Sequence, residues 1–306
     1  MTQPILRKTL LLLLLFPVLA SAQRSKISSD RPGQGQTPIT VGKHYLQLQL
    51  GQESGVLNAG EYRSQTSASG NRNQSNLFVR FGLNNRTELH LAASLDRFTQ
   101  SSLLRPTANL GPDELSTPYA STPGFTLNNL QFGLRHNVLA ESRNNAFDLG
   151  IIGSFTLNSA PLTTRFSGGN NLQLGLLAGK SIGNRVAALG NIGTNWNLNN
   201  QLPDLYYLVN FAFDLGKNVG FFVETKNNQF FQGDGGHAAL FDGGFTWLLA
   251  PNFQFDLYGG WSQTHQLLPN LGPGGFVYGP ALRENYWFIA GGVSWKIKAL
   301  PSKKAS

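Results

Sequence analysis

Cysteine is absent from all 306 residues, which excludes a disulfide scaffold, thiolate metal ligands and a cysteine nucleophile. Charge is scarce: Asp, Glu, Lys and Arg make up 13% of the chain. The Lys and Arg residues lie scattered, without the clustered stripe of a nucleic-acid binder, so no nucleic-acid partner is expected. After residue 22 no run of about 18 apolar residues occurs, and no membrane helix is expected. Helical periodicity is convincing nowhere, and no Gly-x-Ser-x-Gly elbow or equivalent, as a serine hydrolase would need, is expected. The stretch Gly233-Asp234-Gly235-Gly236-His237 lacks the ligand repeat of a calcium loop and opens no helix. No catalytic residue, cofactor site or metal site is assigned.

The first 22 residues have the layout of a secretory signal peptide. Arg7 and Lys8 are basic, Leu10–Leu15 and Phe16–Ala20 form a short apolar core, and Ala20-Ser21-Ala22 is a small-residue cleavage site. The mature chain is expected to begin at Gln23. Residues 23–42, with Pro32 and Pro38 discouraging helix, are expected to be extended, either on the periplasmic side or inside a lumen. Arg31 beside Asp30 is a candidate brace against a lumen carboxylate, with ordinary solvation as the plain alternative.

From residue 43 to 298 apolar and polar residues alternate. In Glu88–Asp96, Leu89, Leu91, Ala93 and Leu95 share one side; Glu88, His90 and Asp96 share the other. Such period-2 alternation marks a strand with one apolar face. Twelve segments carry it: Lys43–Gly51, Ser75–Leu83, Thr87–Asp96, Leu127–Val138, Ala146–Leu157, Asn171–Ser181, Arg185–Trp196, Asp204–Leu215, Val219–Lys226, Ala238–Leu249, Asn252–Ser262 and Asn285–Lys298. Every second connection is short and rich in Gly, Asn or Pro, as at Asn84-Asn85-Arg86, Gly183-Asn184, Gly216-Lys217-Asn218 and Ala250-Pro251. The others are longer: Gln52–Gln74, Arg97–Thr126, Asn158–Asn170, Asn197–Pro203, Asn227–His237 and Gln263–Glu284. Short periplasmic turns alternating with long extracellular loops are the layout of an outer-membrane barrel. Trp247, Trp261, Trp287, Trp295, Phe81, Phe147 and Phe155 fall on the apolar parity near strand ends, where interfacial aromatic belts sit. The fold expected is an all-β, antiparallel, up-and-down transmembrane barrel of about 12 strands, closed by a basic tail at 299–306.

The stretch Asp30-Arg31-Pro32-Gly33-Gln34-Gly35-Gln36-Thr37-Pro38-Ile39-Thr40-Val41, then Lys43 and Tyr45–Gly51, resembles the opening of the bacterial MetA-pathway of phenol degradation family. Asp242–Asp256 resembles its penultimate hairpin, and Trp287–Trp295 its closing strand. Gly33 and Gly35 depart from the acidic or hydroxylated residues usual there, Gly42 stands where proline is common, and the tail after the last strand is unusual. The resemblance implies an outer-membrane barrel with a transport role.

By parity the lumen receives Arg80, Glu88, His90, Asp96, Gln131, Arg135, Asp148, Asn210, Asp214, Glu224, Lys226, Asp242, Gln254 and Asp256. Two readings stand: a selectivity lining, or a cross-strand network that fills a narrow barrel. Glu88 and His90, two apart on one face, outline part of a metal or acid–base site with no third member fixed by spacing; a hydrogen-bonded structural histidine is the plainer reading. The function expected is a monomeric transporter or narrow channel for small, apolar or aromatic solutes in the outer membrane of a Gram-negative bacterium. Its expected partners are outer-membrane lipid, the assembly machinery and an unidentified solute. The alternatives are a structural or surface-interaction barrel with a plugged lumen, an outer-membrane lipase or acyltransferase, and a soluble exported β-domain. Intact-mass measurement of the exported protein is expected to give a chain starting at Gln23; retention of residues 1–22 would show an uncleaved anchor.

Overall fold

A computed structural model describes residues 35–61, 66–104, 124–141, 145–158, 170–198, 202–231, 235–270 and 277–299. The signal segment, residues 23–34 with Arg31, and the tail from residue 300 lie outside the described residues. Twelve strands follow one another: β1 (Tyr45–Glu61), β2 (Thr66–Gly82), β3 (Thr87–Leu104), β4 (Thr126–Leu139), β5 (Asp148–Asn158), β6 (Asn171–Ile182), β7 (Val186–Asn197), β8 (Asp204–Asp214), β9 (Val219–Phe230), β10 (Gly236–Ala250), β11 (Phe253–Asn270) and β12 (Val277–Lys298). Each pairs antiparallel with its sequence neighbours, and β1 closes onto β12 from Tyr45↔Lys298 to Glu61↔Leu282. The result is a closed barrel without a free edge.

The faces are inverted relative to a soluble protein. Leu50, Leu89, Leu134, Ile151, Leu176, Ile192, Val209, Val223, Phe245, Leu257 and Ile289 are exposed around the outside. Gln47, Gln49, Arg80, Glu88, Asp96, Arg135, Glu224, Asp256 and Ser294 are buried within. A continuous apolar exterior of this extent is an aggregation hazard in water and the required surface in lipid. Aromatic rings bound it. Phe213, Phe221, Phe245, Trp247 and Phe255 form a chain of contacts 5.3–6.1 Å apart near the short turns. Phe241, Trp261 and Trp287 form another, 5.8–6.0 Å apart, farther along. From Trp287 to Trp295 the strand runs about 26 Å, which a tilt of about 40° reduces to roughly 20 Å of height.

The end carrying residues 83–86, 183–185, 215–218 and 251–252 is called the turn end. The opposite, loop end differs from expectation. Gln52–Gln74 is mostly not a loop: β1 runs on to Glu61 and β2 resumes at Thr66. Likewise β3 continues to Leu104, β9 to Phe230 and β11 to Asn270, and β12 already starts at Val277. Beyond the lipid both strand faces meet water, so the apolar alternation disappears while the ladder continues. Polar segments such as Thr66–Gln74 then look like loops in sequence. Substituting Leu176, outward at mid-strand on β6, with Arg is expected to cost about 2–4 kcal/mol of unfolding free energy in lipid vesicles; no change on urea titration would mean that this face meets water.

Candidate functional site

A segment of the chain enters its own barrel. Residues 35–41 cross the lumen before Gly42, at φ 90°, turns the backbone into β1. Proline cannot adopt that angle, which accounts for glycine at a position where the resembled family commonly has proline. The strap then binds the walls through its backbone. Gly35 N–H donates to both carboxylate oxygens of Glu224 on β9, each at 3.1 Å. Asn191 on β7 accepts from Gln36 N–H at 2.9 Å and returns a bond to Gln36 C=O at 2.8 Å, as a second backbone strand would. Asn137 on β4 donates to Pro38 C=O, Arg80 on β2 donates to Ile39 C=O, and Val41 N–H donates to Glu88 on β3. Pro38 sits against Gly150 and Gly179, where an added methyl group would come within 3.2 Å of it. A side chain on Gly35 would overlap Glu224 and Leu208. Five strands thus hold one extended segment.

The anchor at the hinge is ionic. Arg80 grips Glu88 through two bonds, Nε–Oε1 at 2.8 Å and Nη2–Oε2 at 3.0 Å, and Arg135 Nη1 lies 3.3 Å from Oε1. All three side chains are fully buried. A buried cluster of this kind holds only while each charge stays compensated. A second cluster stands nearer the loop end, where Asp96 receives Arg72 at 2.7 Å and Asn128 at 2.8 Å. Outside the membrane span, after β4, Ser181 N–H and the Lys180 ammonium hold the Glu141 carboxyl below its usual range.

Two cavities flank the strap. One, of about 690 Å³, opens among the turns and is lined by Thr37, Pro38, Ile39, Asp148, Asp214, Phe222 and Glu224. The other, of about 490 Å³, lies toward the loop end and is lined by Gln36, Arg72, Phe78, Tyr206, Lys226, Asp242, Tyr286 and Phe288. A ladder of rings runs between them along one wall. Tyr286 stacks on Phe288 at 5.5 Å, Phe288 meets Tyr258 edge-on at 6.2 Å, and Tyr258 meets Phe222 at 6.3 Å. Directly paired glycines make room for these inward rings. Gly260 faces Phe288 and Gly244 faces Tyr258, and a methyl group at either position would overlap the ring-bearing residue.

The charged positions expected inside separate by role. Arg80, Glu88 and Arg135 form the hinge cluster; Asp96 pairs with Arg72; Glu224 holds Gly35. Asp242 and Asp256 are buried on β10 and β11, where Asp256 accepts from Gln254. Asp148 accepts from Glu141 N–H at the turn end, and Asp214 is exposed there. His90 departs from the hydrogen-bonded reading. It is buried, 5.6 Å from the Phe78 ring and opposite Gly133, and neither imidazole nitrogen has a hydrogen-bond partner among the described residues. Glu88 is engaged by arginines, so no acid–base pair forms. The spacing Gly179-Lys180-Ser181-Ile182-Gly183 does match a nucleophile elbow, but it joins strand to strand rather than strand to helix. Among the described residues, no three His, Asp or Glu gather as metal ligands.

No family model matches the chain, and no curated protein matches it in sequence. Among solved structures, an outer-membrane channel of Pseudomonas putida F1 superposes with a TM-score of 0.58 at 12% identity, over 88% of this chain and 100% of that one. At that identity the likeness is one of fold, a closed outer-membrane barrel. The NanC porin (TM-score 0.42, 10% identity, 80% and 100% covered) and the KdgM porin in complex with oligogalacturonate (0.43, 9%, 79% and 98%) are more distant. Replacing Glu88 with Gln is expected to lower unfolding stability by about 3–5 kcal/mol, because two buried guanidinium groups lose their counter-charge. Urea unfolding in vesicles checks this; a change below about 1 kcal/mol would mean that water reaches the cluster.

Proposed function

We propose that the chain is an outer-membrane channel for small solutes bearing an aromatic or apolar part, and that the strap is the element a solute must pass. The observation that carries this reading is the ring ladder. Tyr286 and Phe288 line the loop-end cavity, and Phe222 lines the turn-end cavity. Rings on one wall give a planar solute successive contacts of similar strength, so it advances without a deep trap. The resemblance to the MetA-pathway of phenol degradation family supports the same reading, as does the secretory layout of residues 1–22. On it the turn end is periplasmic, the barrel is a monomer assembled by the outer-membrane machinery of a Gram-negative bacterium, and no covalent step is needed.

The strap's contacts are graded. Near Gly42 it is tied to the fully buried Arg80–Glu88 pair; at its far end Asn191 contributes neutral amide bonds to Gln36, and Gly35 N–H shares the two oxygens of the Glu224 carboxylate at 3.1 Å. If residues 35–37 withdraw, Glu224 still holds Asn210 at 3.0 Å, and Arg80, Glu88 and Arg135 remain mutually compensated. Withdrawal of the far end is therefore the least costly way to join the cavities. The second reading, a permanently plugged barrel, is favoured by the number of those same bonds.

Proteoliposome swelling with neutral sugars and size-matched aryl glycosides separates the two. Faster entry of the aryl compounds is expected, with Phe288→Ala removing about half or more of that preference, since each lost ring contact is worth about 0.5–1.5 kcal/mol. Vesicles that swell with no solute would establish the plug.

A further inference from the structure

Among the described residues, two inward ammonium groups make no ion pair: Lys296 sits over the Tyr45 ring at the turn end, and Lys226 bears on what the barrel binds. Arg72, Arg80 and Arg135 each face a carboxylate. Lys226, on β9, makes no hydrogen bond or ion pair among the described residues: it feels the Glu224 carboxylate, two positions along the strand, only through space, and its ammonium stands 5.8 Å from the Tyr206 ring centroid. In register it is flanked by Leu208 on β8 and Leu240 on β10, both apolar. One step toward the loop end lie Tyr206 and Asn228; the Tyr206 hydroxyl reaches across β7 toward Gln173, and Asn228 Oδ1 is buried without a hydrogen-bond partner among the described residues. One step toward the turn end lie Glu224, engaged by Gly35 and Asn210, and Asp242. Lys226 lines the same 490 Å³ cavity as Phe288 and Tyr286, and β9 and β12 are three strands apart around the wall.

An ammonium without a hydrogen-bond acceptor among the described residues, beside a phenol ring and an aromatic wall and above a floor of two carboxylates, defines a complementary ligand. We infer that the loop-end cavity is a binding site for a small monocarboxylate with an aromatic or apolar body. Its carboxylate meets Lys226, and its body lies against Phe288 and Tyr286. Desolvated in this way, a charge-assisted bond to an ammonium is about twice as strong as a neutral one. Glu224 and Asp242 repel the carboxylate from the level below, which keeps the anionic end at Lys226 and directs the apolar end along the ladder. Arg72, paired with Asp96 and also near Glu53, adds no free positive charge. This inference rests on the channel reading for how the ligand arrives, but the site is read by binding alone.

Benzoate and benzyl alcohol, nearly equal in size and differing in charge, are suitable probes. In equilibrium dialysis at pH 7 against the refolded full-length barrel in detergent, benzoate is expected to bind about tenfold tighter than benzyl alcohol, as one charge-assisted hydrogen bond allows. Lys226→Gln, its fold checked by heat-modifiable mobility, should erase the preference by weakening benzoate binding far more than benzyl alcohol binding, and Lys226→Arg should keep it. Equal binding of the two probes to the unmodified protein, or a preference that survives Lys226→Gln, would overturn the site. Should Lys226→Gln not fold, the benzoate to benzyl alcohol ratio of the unmodified protein decides alone. Failure of the channel reading shows differently: the benzoate preference stays while proteoliposomes swell with no solute.

Discussion

Closure of the sheet is the constraint from which the rest follows. In hydrocarbon no water satisfies a backbone N–H or C=O, so a strand can cross only if both of its neighbours pair with it. The seventeen-residue register between β1 and β12 meets that condition at the one seam where chain order does not. Once the sheet closes, the outward parity must be apolar and the inward parity must be filled by whatever remains, here polar and charged side chains in a narrow space. Those groups have little water to turn to. Their mutual compensation, as in Arg80, Glu88 and Arg135, is a consequence of closure rather than a separate device.

The strap answers the same demand from both sides. An extended segment entering the lumen brings its own unsatisfied backbone groups, and the walls present side chains that match them one by one: Glu224 for Gly35, Asn191 for Gln36, Asn137 for Pro38, Arg80 for Ile39 and Glu88 for Val41. Each neutral bond is worth only about 1 kcal/mol net, whereas leaving a buried partner unmade costs about 1–3 kcal/mol. Strap and lining therefore specify each other. At the far end the two Asn191 bonds are neutral, and the Glu224 carboxylate released by Gly35 keeps its bond from Asn210, which lowers what a solute's binding energy must offset.

Much of the barrel was legible in the chain because lipid exposure imposes period-2 alternation, as in Glu88–Asp96, and because tight turns demand residues such as Gly183. The strands were misread where that pressure ends. Thr66–Gln74 and Arg97–Leu104 pair above the lipid, where nothing forces an apolar outer face. The site was less legible than the fold. Arg80, Glu88 and Arg135 could be placed inside by parity, but Asn191 and Asn137 bind residues 155 and 99 positions away, and no local pattern encodes that. The ladder left a faint signal: Phe222, Tyr258 and Phe288 are aromatic residues on the polar parity, and glycines occupy the facing positions. His90 has no hydrogen-bond partner among the described residues, and Glu88, on the same face of β3, is claimed by two arginines.

The central claim is that solutes cross where the strap crosses, and the absence of native cysteine gives it a direct test. With Gln36→Cys and Asn191→Cys introduced together, oxidation should lock the strap to β7. Solute entry into proteoliposomes should then fall, and reduction should restore it to at least the level of the unmodified protein, since the variant also lacks the two Asn191 bonds to the strap. Equal entry in the oxidised and reduced states, with the cross-link verified by mass, would contradict the account.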